Sequence, residues 1–347
     1  MAGARILTPP LLEQLRRSAL DEGFIEAGGV DLDHAWPLYQ DHLRRYDEWL
    51  ARGSAAEMHY LVRGRDRRAD PRLVFPDAAS VFAVLLPYRK SPAGQLDALK
   101  GPRYARYLDG ADYHERVAEK LEIALSRTAA ANPELNLKWK VCVDTSAVLE
   151  RSWAALSGLG WIGKNTLLIH PKHGSYTFIG VALLNTPVGS GPRLLPDYCG
   201  NCSRCIDSCP TKAIEKPRSV DSRKCIAYWT LEKRGDLELA AEQKQAMGTW
   251  VAGCDLCQEA CPFNSRAVRA AELHPELDRE TLEGAIGMST WEELEREGDA
   301  EYRARVRGSA LSRVKAEMFR RNLAIARKNA GRETGADPSA AGTPSAE

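Results

Sequence analysis

The chain has 347 residues, enough for two or three domains, and its 44% hydrophobic content allows a sizeable core. With 48 Lys and Arg against 47 Asp and Glu its formal charge is +1, which excludes a uniformly basic nucleic-acid coat but not a local basic face. No apolar run approaches the roughly 20 residues of a membrane span, and Met1–Pro10 lacks an apolar core of signal-peptide length, so a cytoplasmic, monomeric protein without membrane contact is expected.

In chain order, 11–20 and 38–52 read as helices of mixed charge. Ala79–Tyr88 is an apolar run of buried-strand length, Asp112–Thr128 has helical periodicity, and Leu137–Thr145 alternates like a strand. Ala147–Ser157 reads as a helix, and Thr166–His170 and Tyr176–Thr186 as strands. This alternation predicts an α/β domain around a central sheet over 1–190. Gly189–Pro196 is a hinge into a cysteine-rich domain spanning 191–265. Beyond it 266–330 turns helical. There 272–301 holds eleven acidic residues against two Lys or Arg, and 303–328 holds nine Lys or Arg against one acid. The last stretch, 331–347, is of low complexity and is expected to be disordered.

Eight of the nine cysteines lie between 199 and 261. Cys199, Cys202, Cys205 and Cys209-Pro210 form C-x2-C-x2-C-x3-C-P, the bacterial ferredoxin pattern, in which the fourth cysteine ligates the other of two cubane clusters. This assigns Cys199, Cys202, Cys205 and Cys261 to one cluster, and Cys209, Cys225, Cys254 and Cys257 to a second. The stretch between Cys225 and Cys254 implies a helical insertion at roughly 226–250. Zinc sites are built from two C-x2-C pairs without the third cysteine and the C-P ending, and disulfides do not suit the cytosol. Cys142, in an apolar strand pattern, reads as a buried small hydrophobe.

Other motifs compete for the chemistry. Gly158-Leu-Gly160-Trp-Ile-Gly163 matches G-x-G-x-x-G, but it follows a helix and precedes a strand, the reverse of a dinucleotide site. Its glycines imply a tight turn or a close backbone approach. Asp144, ending a strand, reads either as a cap for the next helix or as a carboxyl whose pKa rises at a sheet edge so that it acts as an acid. Arg151 reads as a salt-bridge partner or a phosphate ligand. Asp112 reads as a helix cap with His114 on the surface. Asp112-x-His114 also suggests the motif that gives cobalamin an axial histidine, but Val117 replaces the glycine that motif needs. His170 and His173 read as turn residues.

VDTSAVLERSWAALSGLGWIGKNT, CGNCSRCIDSCPTKAI, RKCIAYWTLE, GCDLCQEACPFN and the upstream RYARYLDGADYHERV together resemble the epoxyqueuosine reductase family, in order and spacing, over roughly 5–328. The resemblance implies an α/β cobalamin-binding domain, a ferredoxin-like domain with two [4Fe-4S] clusters, and short C-terminal HEAT-like helices. It implies an oxidoreductase that reduces epoxyqueuosine in a tRNA anticodon loop to queuosine, the last step of queuosine synthesis, and a kinship with reductive dehalogenases. Asp144 matches the family's proton donor and Arg151 a tRNA contact. Trp161, Gly163, Lys164, Asn165, Thr166, Leu168 and Ile179 match the cobalamin-lining part, and Asp255 lies where the second cluster faces the corrin.

The chemistry is consistent with that expectation. Taking an epoxide to an alkene needs two electrons, which protein side chains cannot deliver, so cofactors fed by an external low-potential electron donor are required. Arg320 and Arg321, in the basic C-terminal segment, are candidate tRNA contacts, with Leu311, Val314, Met318 and Leu323 packing inward. The alternative for this segment is a solvated face neutralised by the acidic stretch. For the whole chain the alternatives are a small-molecule cobalamin reductase, an electron-transfer protein, and an RNA-binding protein with structural clusters.

Overall fold

The computed structural model describes residues 9–88, 101–266 and 290–333. Four strands, β1 (Glu26–Asp31), β2 (Ser80–Pro87), β3 (Trp139–Cys142) and β4 (Thr177–Leu184), form the central sheet in the order β1-β2-β4-β3, each neighbour antiparallel. Beyond Ser80, whose hydroxyl donates to the Thr186 carbonyl, β2 is apolar because helices cover both faces. Phe82, Val84 and Leu86 enter a core with Leu15, Val117 and Leu121, while Val81, Ala83 and Leu85 enter another with Tyr39, Trp153 and Leu156.

The first core is closed by α1 (Pro9–Asp21) and, later in the chain, by the 19-residue helix Tyr113–Ala131. On the opposite face lies α2 (Leu32–Ala51), where Tyr39 stacks on Trp153 at 4.2 Å between ring centroids. A short helix, α3 (His59–Arg63), follows α2. The helix Tyr113–Ala131 is α4, and α5 (Glu150–Leu156) carries Trp153. Fully buried side chains of this size contribute roughly 3 kcal/mol each.

The expected strands and helices of this domain are present. β1 was not expected: its sequence, EAGGVD, has little β propensity. Its glycine is there for clearance, since a Cβ on Gly28 would lie 2.5 Å from the Ser157 carbonyl oxygen. The G-x-G-x-x-G segment enters a small hairpin that pairs Trp161–Ile162 with Leu168–Ile169, apart from the central sheet. A Cβ on Gly160 would lie 2.5 Å from the Ile169 carbonyl oxygen, so the close approach is to the chain's own backbone.

In the insertion, α6 (Ile226–Leu231) and a short helix Ala241–Ala246 precede a strand, Trp250–Ala252, that pairs in parallel with Arg103–Tyr104. The long C-terminal helix α7 (Ala316–Glu333) closes this region. Leu311, Val314, Met318 and Leu323 pack inward with Val251 and Phe319, as expected from their spacing. The helix carries the chain through Gly331–Glu333, the start of the expected tail; 334–347, and the acidic stretch up to 289, lie outside the described residues. Among the described residues no helix is long and apolar enough to cross a membrane.

Candidate active site

Asp144 stands just past β3 with φ +56, a left-handed conformation that Asp tolerates better than most residues. It does not cap α5: the cap position is Leu149, without a side-chain bond. Instead the Asp144 N–H donates to Glu150 Oε1 at the first turn of α5. Burial, and then the charge of Asp144, push the Glu150 carboxyl up to about 8. Glu150 is therefore protonated at neutral pH while one of its oxygens holds the Asp144 backbone.

The Asp144 side chain is 54% exposed and faces His114, with His114 Nε2 3.1 Å from Asp144 Oδ2. His114 is not a surface residue. It is only 10% exposed, in the first turn of α4, where Asp112 takes both its N–H (3.0 Å) and its ring Nδ1. The cap role expected of Asp112 is thus present, and the same carboxylate orients the ring. Each ring nitrogen of His114 faces a carboxylate, so a proton on Nε2 sits on the line to Asp144. Arg313 adds a cation 3.6 Å from Asp144 Oδ2. Burial pushes the Asp144 carboxyl up, but the hydrogen bond and charge of His114, with Arg313 and Arg151, outweigh it and leave the group below its ordinary value. The expected upward shift is corrected by these neighbours, which no local sequence signal announces.

The mutual charges of the cysteines fall mostly within the two expected fours: Cys205 feels Cys199, Cys261 and Cys202, Cys254 feels Cys225 and Cys209, and Cys257 feels Cys254 and Cys225 and, across the division, Cys205. All nine cysteines are free. Among the described residues no three His, Cys, Asp or Glu side chains converge as a single-ion site requires. Four spread thiols suit the corners of a cube better than one zinc. Burial, and then the charges of neighbouring cysteines, push the Cys254 and Cys257 thiols up, and a bound cation would favour their thiolates.

The family models match in two places: a 4Fe-4S double cluster binding domain over 198–264 and the epoxyqueuosine reductase QueG, DUF1730 model over 68–145. A curated epoxyqueuosine reductase of Synechococcus sp. (strain CC9605) is 38% identical over 319 residues, 91% of this chain and 94% of that one. The chain belongs to the epoxyqueuosine reductase family. A crystal structure of a selenomethionine-labelled epoxyqueuosine reductase superposes with a TM-score of 0.77 at 25% identity, over 94% of this chain and 83% of that one. A second, of an epoxyqueuosine reductase with an epoxyqueuosine-modified tRNA-Tyr stem loop, gives 0.72 at 25%, over 92% and 82%. As an epoxyqueuosine reductase the chain is an oxidoreductase with a double [4Fe-4S] domain, and it acts on epoxyqueuosine in tRNA.

Several residues expected at a corrin contact the cysteine loops instead. Trp161 packs with Cys261 and Phe263 and directs Nε1 to Cys199 Sγ at 3.4 Å. Lys164 Nζ donates to the carbonyls of Gly200 (2.7 Å) and Cys202 (2.8 Å). Asn165 donates to the Cys257 carbonyl at 3.4 Å. A Cβ on Gly163 would press Ile169 and Asn165, so that glycine serves the hairpin. Thr166, at φ +69, accepts from Arg151 Nη1 through its carbonyl at 2.9 Å. Leu168 is buried in the second core and Ile179 of β4 packs half-buried against it.

Asp255, 1% exposed between Cys254 and Cys257, accepts from the Arg106 backbone N–H at 2.8 Å and from its guanidinium at 3.3 Å. Arg106 also bonds Tyr176 and Glu259 at 2.9 Å each, yet its Nε and Nη2 are buried without an acceptor in the described residues. The ring of Tyr107, the next residue, feels both Asp144 and Asp255. The segment Arg106–Tyr107 is thus electrostatically coupled to both carboxylates. Arg106 carries no cue in its sequence context and was not foreseen.

The basic C-terminal face is largely neutralised. Arg320 pairs with Asp299, and Arg327 with Glu292 at 2.7 Å. Arg321 is not an outward cation: it donates to the carbonyls of Trp229 (2.8 Å), Lys233 (3.0 Å) and Gly235, tying α7 to α6 and the turn behind it. The geometry fits the neutralised-face alternative and takes Arg321 out of the RNA surface.

Proposed function

We propose that Asp144, backed by His114, is the proton donor for reduction of the epoxide of tRNA epoxyqueuosine, at a site fed with electrons through the two clusters. The observation that carries this reading is the chain of contacts Asp112–His114–Asp144, with Asp144 the solvent-facing end. The net change removes the epoxide oxygen as water, taking two electrons and two protons. Asp144 Oδ2 passes a proton to the departing oxygen and is reloaded from His114 Nε2, and Asp112 stabilises the charge on the ring. General acid help of this kind is typically worth about 10²–10⁴ in rate.

Cobalamin, when bound, supplies low-potential electrons from one metal centre beside the epoxide. The chain's own residues support such a group between Asp144 and Asp255. The unpartnered Arg106 nitrogens suit the amide oxygens of a corrin, and Asn165, which donates to the Cys257 carbonyl, would line its site with Thr166 and the half-buried Ile179. An external low-potential donor hands over electrons at the Cys199–Cys205 loop, where Cys202 is exposed. Arg151 remains an outer contact for the RNA, and the protein acts as a cytoplasmic monomer.

The test is turnover of an anticodon stem loop bearing epoxyqueuosine, with iron-loaded protein, cobalamin and a strong reductant. Formation of queuosine, its loss without cobalamin, and a large loss in Asp144→Asn with both clusters intact are expected. Unchanged turnover in Asp144→Asn excludes this donor.

A further inference from the structure

We infer that the depression lined by Tyr60, Arg63, Gly64, Arg67, Arg68, Thr145 and Ala147 is a seat for an RNA phosphate, holding the nucleotide next to the one being reduced. It has a volume of about 370 Å³ and begins one residue from the proton donor, at Thr145. Three of its lining residues are arginines and none is an acid. Arg65, between them in sequence, is held by Asp47 at 2.6 Å. Arg63, Arg67 and Arg68 have no such partner among the described residues.

Arg68 makes this a built site. It is 8% exposed, yet its guanidinium has only one long hydrogen bond among the described residues, to the Tyr60 carbonyl at 3.5 Å. A buried cation without a counter-charge is costly unless an anion arrives. Its place is enforced from behind. The Tyr39 hydroxyl donates to the Arg68 carbonyl, and the guanidinium lies across Gly64, where a Cβ would meet Arg68 Nη1 at 2.2 Å. Arg63 and Arg67 are exposed at the rim of the same hollow.

The ligand class follows from this composition. Guanidinium groups match phosphate oxygens in pairs. Tyr60, 47% exposed, offers a ring beside them, and single-stranded RNA bases stack on such rings. Tyr60 shares the hollow with Thr145, the residue after Asp144, and Asp144 acts on it electrostatically after burial and Glu232. A free anion would use the arginines alone; a nucleotide uses the arginines and the ring. This assignment rests on the reading that the substrate is an anticodon loop, and it moves the phosphate contacts from α7 to the hollow beside Asp144.

The test pairs variants with altered RNA, using the iron- and cobalamin-loaded protein. Arg63→Gln with Arg67→Gln alters exposed side chains, so the fold and the iron content serve as controls. Binding of the modified stem loop should weaken roughly tenfold per lost contact, and the salt dependence of log K should flatten by about 0.7 per contact. Lysines at both positions should restore most of the slope. Stem loops carrying one neutral methylphosphonate at a time identify the partner: at one or two loop positions the neutral linkage should weaken wild-type binding and leave the double variant unaffected. Tyr60→Ala should lower affinity with the salt slope unchanged. Strict additivity of variant and methylphosphonate at every loop position, or an unchanged slope in the double variant, overturns the site. If wild-type protein fails to turn over the stem loop at all, the functional reading fails first, and the two failures are distinguished.

Discussion

His114 and Asp144 are 30 positions apart in the chain, yet His114 Nε2 lies 3.1 Å from Asp144 Oδ2. The contact joins the first turn of α4 to the loop after β3, so helix docking on the sheet and alignment of the acid are one event. In the proposed reaction an aspartate held below its ordinary pKa is a poor reservoir for a proton, and His114 is the group placed to reload it.

Replacing His114 by Gln should therefore lower kcat by about 10²–10⁴ while iron and cobalamin contents stay at wild-type levels. Single-turnover rates measured across pH 5–9 check this. The pH–rate profile of the variant should differ in shape from that of the parent, whereas a purely structural histidine would lower the amount of loaded protein and leave the profile shape intact.

Glu150 gives a stability signature. Its folded pKa of about 8 stands above the ordinary value of 4.5, so between these values the folded state binds more protons than the unfolded chain. Stability should fall as pH rises through that window and level off above it. Glu150→Gln keeps an acceptor for the Asp144 N–H and removes the ionisation. Denaturation midpoints from pH 5 to 9 should be flatter for the variant than for the parent.

The two fours of cysteines are separable by spectroscopy. Cys205→Ser should damage the cluster held with Cys199, Cys202 and Cys261, and Cys257→Ser the one held with Cys209, Cys225 and Cys254. Iron content near eight per chain is expected for the parent prepared without oxygen. Loss of the same paramagnetic signal in both variants contradicts the partition.

Arg321→Ala removes the donor to three carbonyls at the α6–α7 junction. A loss of about 3 kcal/mol in unfolding free energy is expected, with the salt slope of RNA binding unaltered. Arg320→Ala, at an exposed ion pair with Asp299, should change stability by under about 1 kcal/mol.

The parts legible in sequence were those whose signal is local. The cysteine spacing names its ligands because a cubane loop is a few residues long, and β2 and β4 declare themselves by unbroken apolar runs. β1 was hidden because Gly28 and Gly29 answer to backbone clearance and close side-chain packing rather than to strand propensity. Asp112 was legible as a cap, but the role of His114 depends on a partner brought by another strand. Arg321 looked like an outward cation because nothing in its own helix reveals carbonyls around Trp229 and Lys233. Arg63, Arg67 and Arg68 stood in a charged run, and only the fold separates them from Arg65 and its partner Asp47.

The crossing of ligands between the two half-motifs has a consequence for synthesis. The first cluster waits for Cys261 and the second for Cys254 and Cys257, so neither is complete until the ribosome has made more than two-thirds of the chain. The strand that leads to those cysteines, Trp250–Ala252, is in turn roofed by α7, which follows them in the chain. On that partition, metal loading waits for both half-motifs to be made. A message truncated before α7 would leave the cysteine loops without their cover, and the cell's iron-delivery machinery would meet an unroofed acceptor.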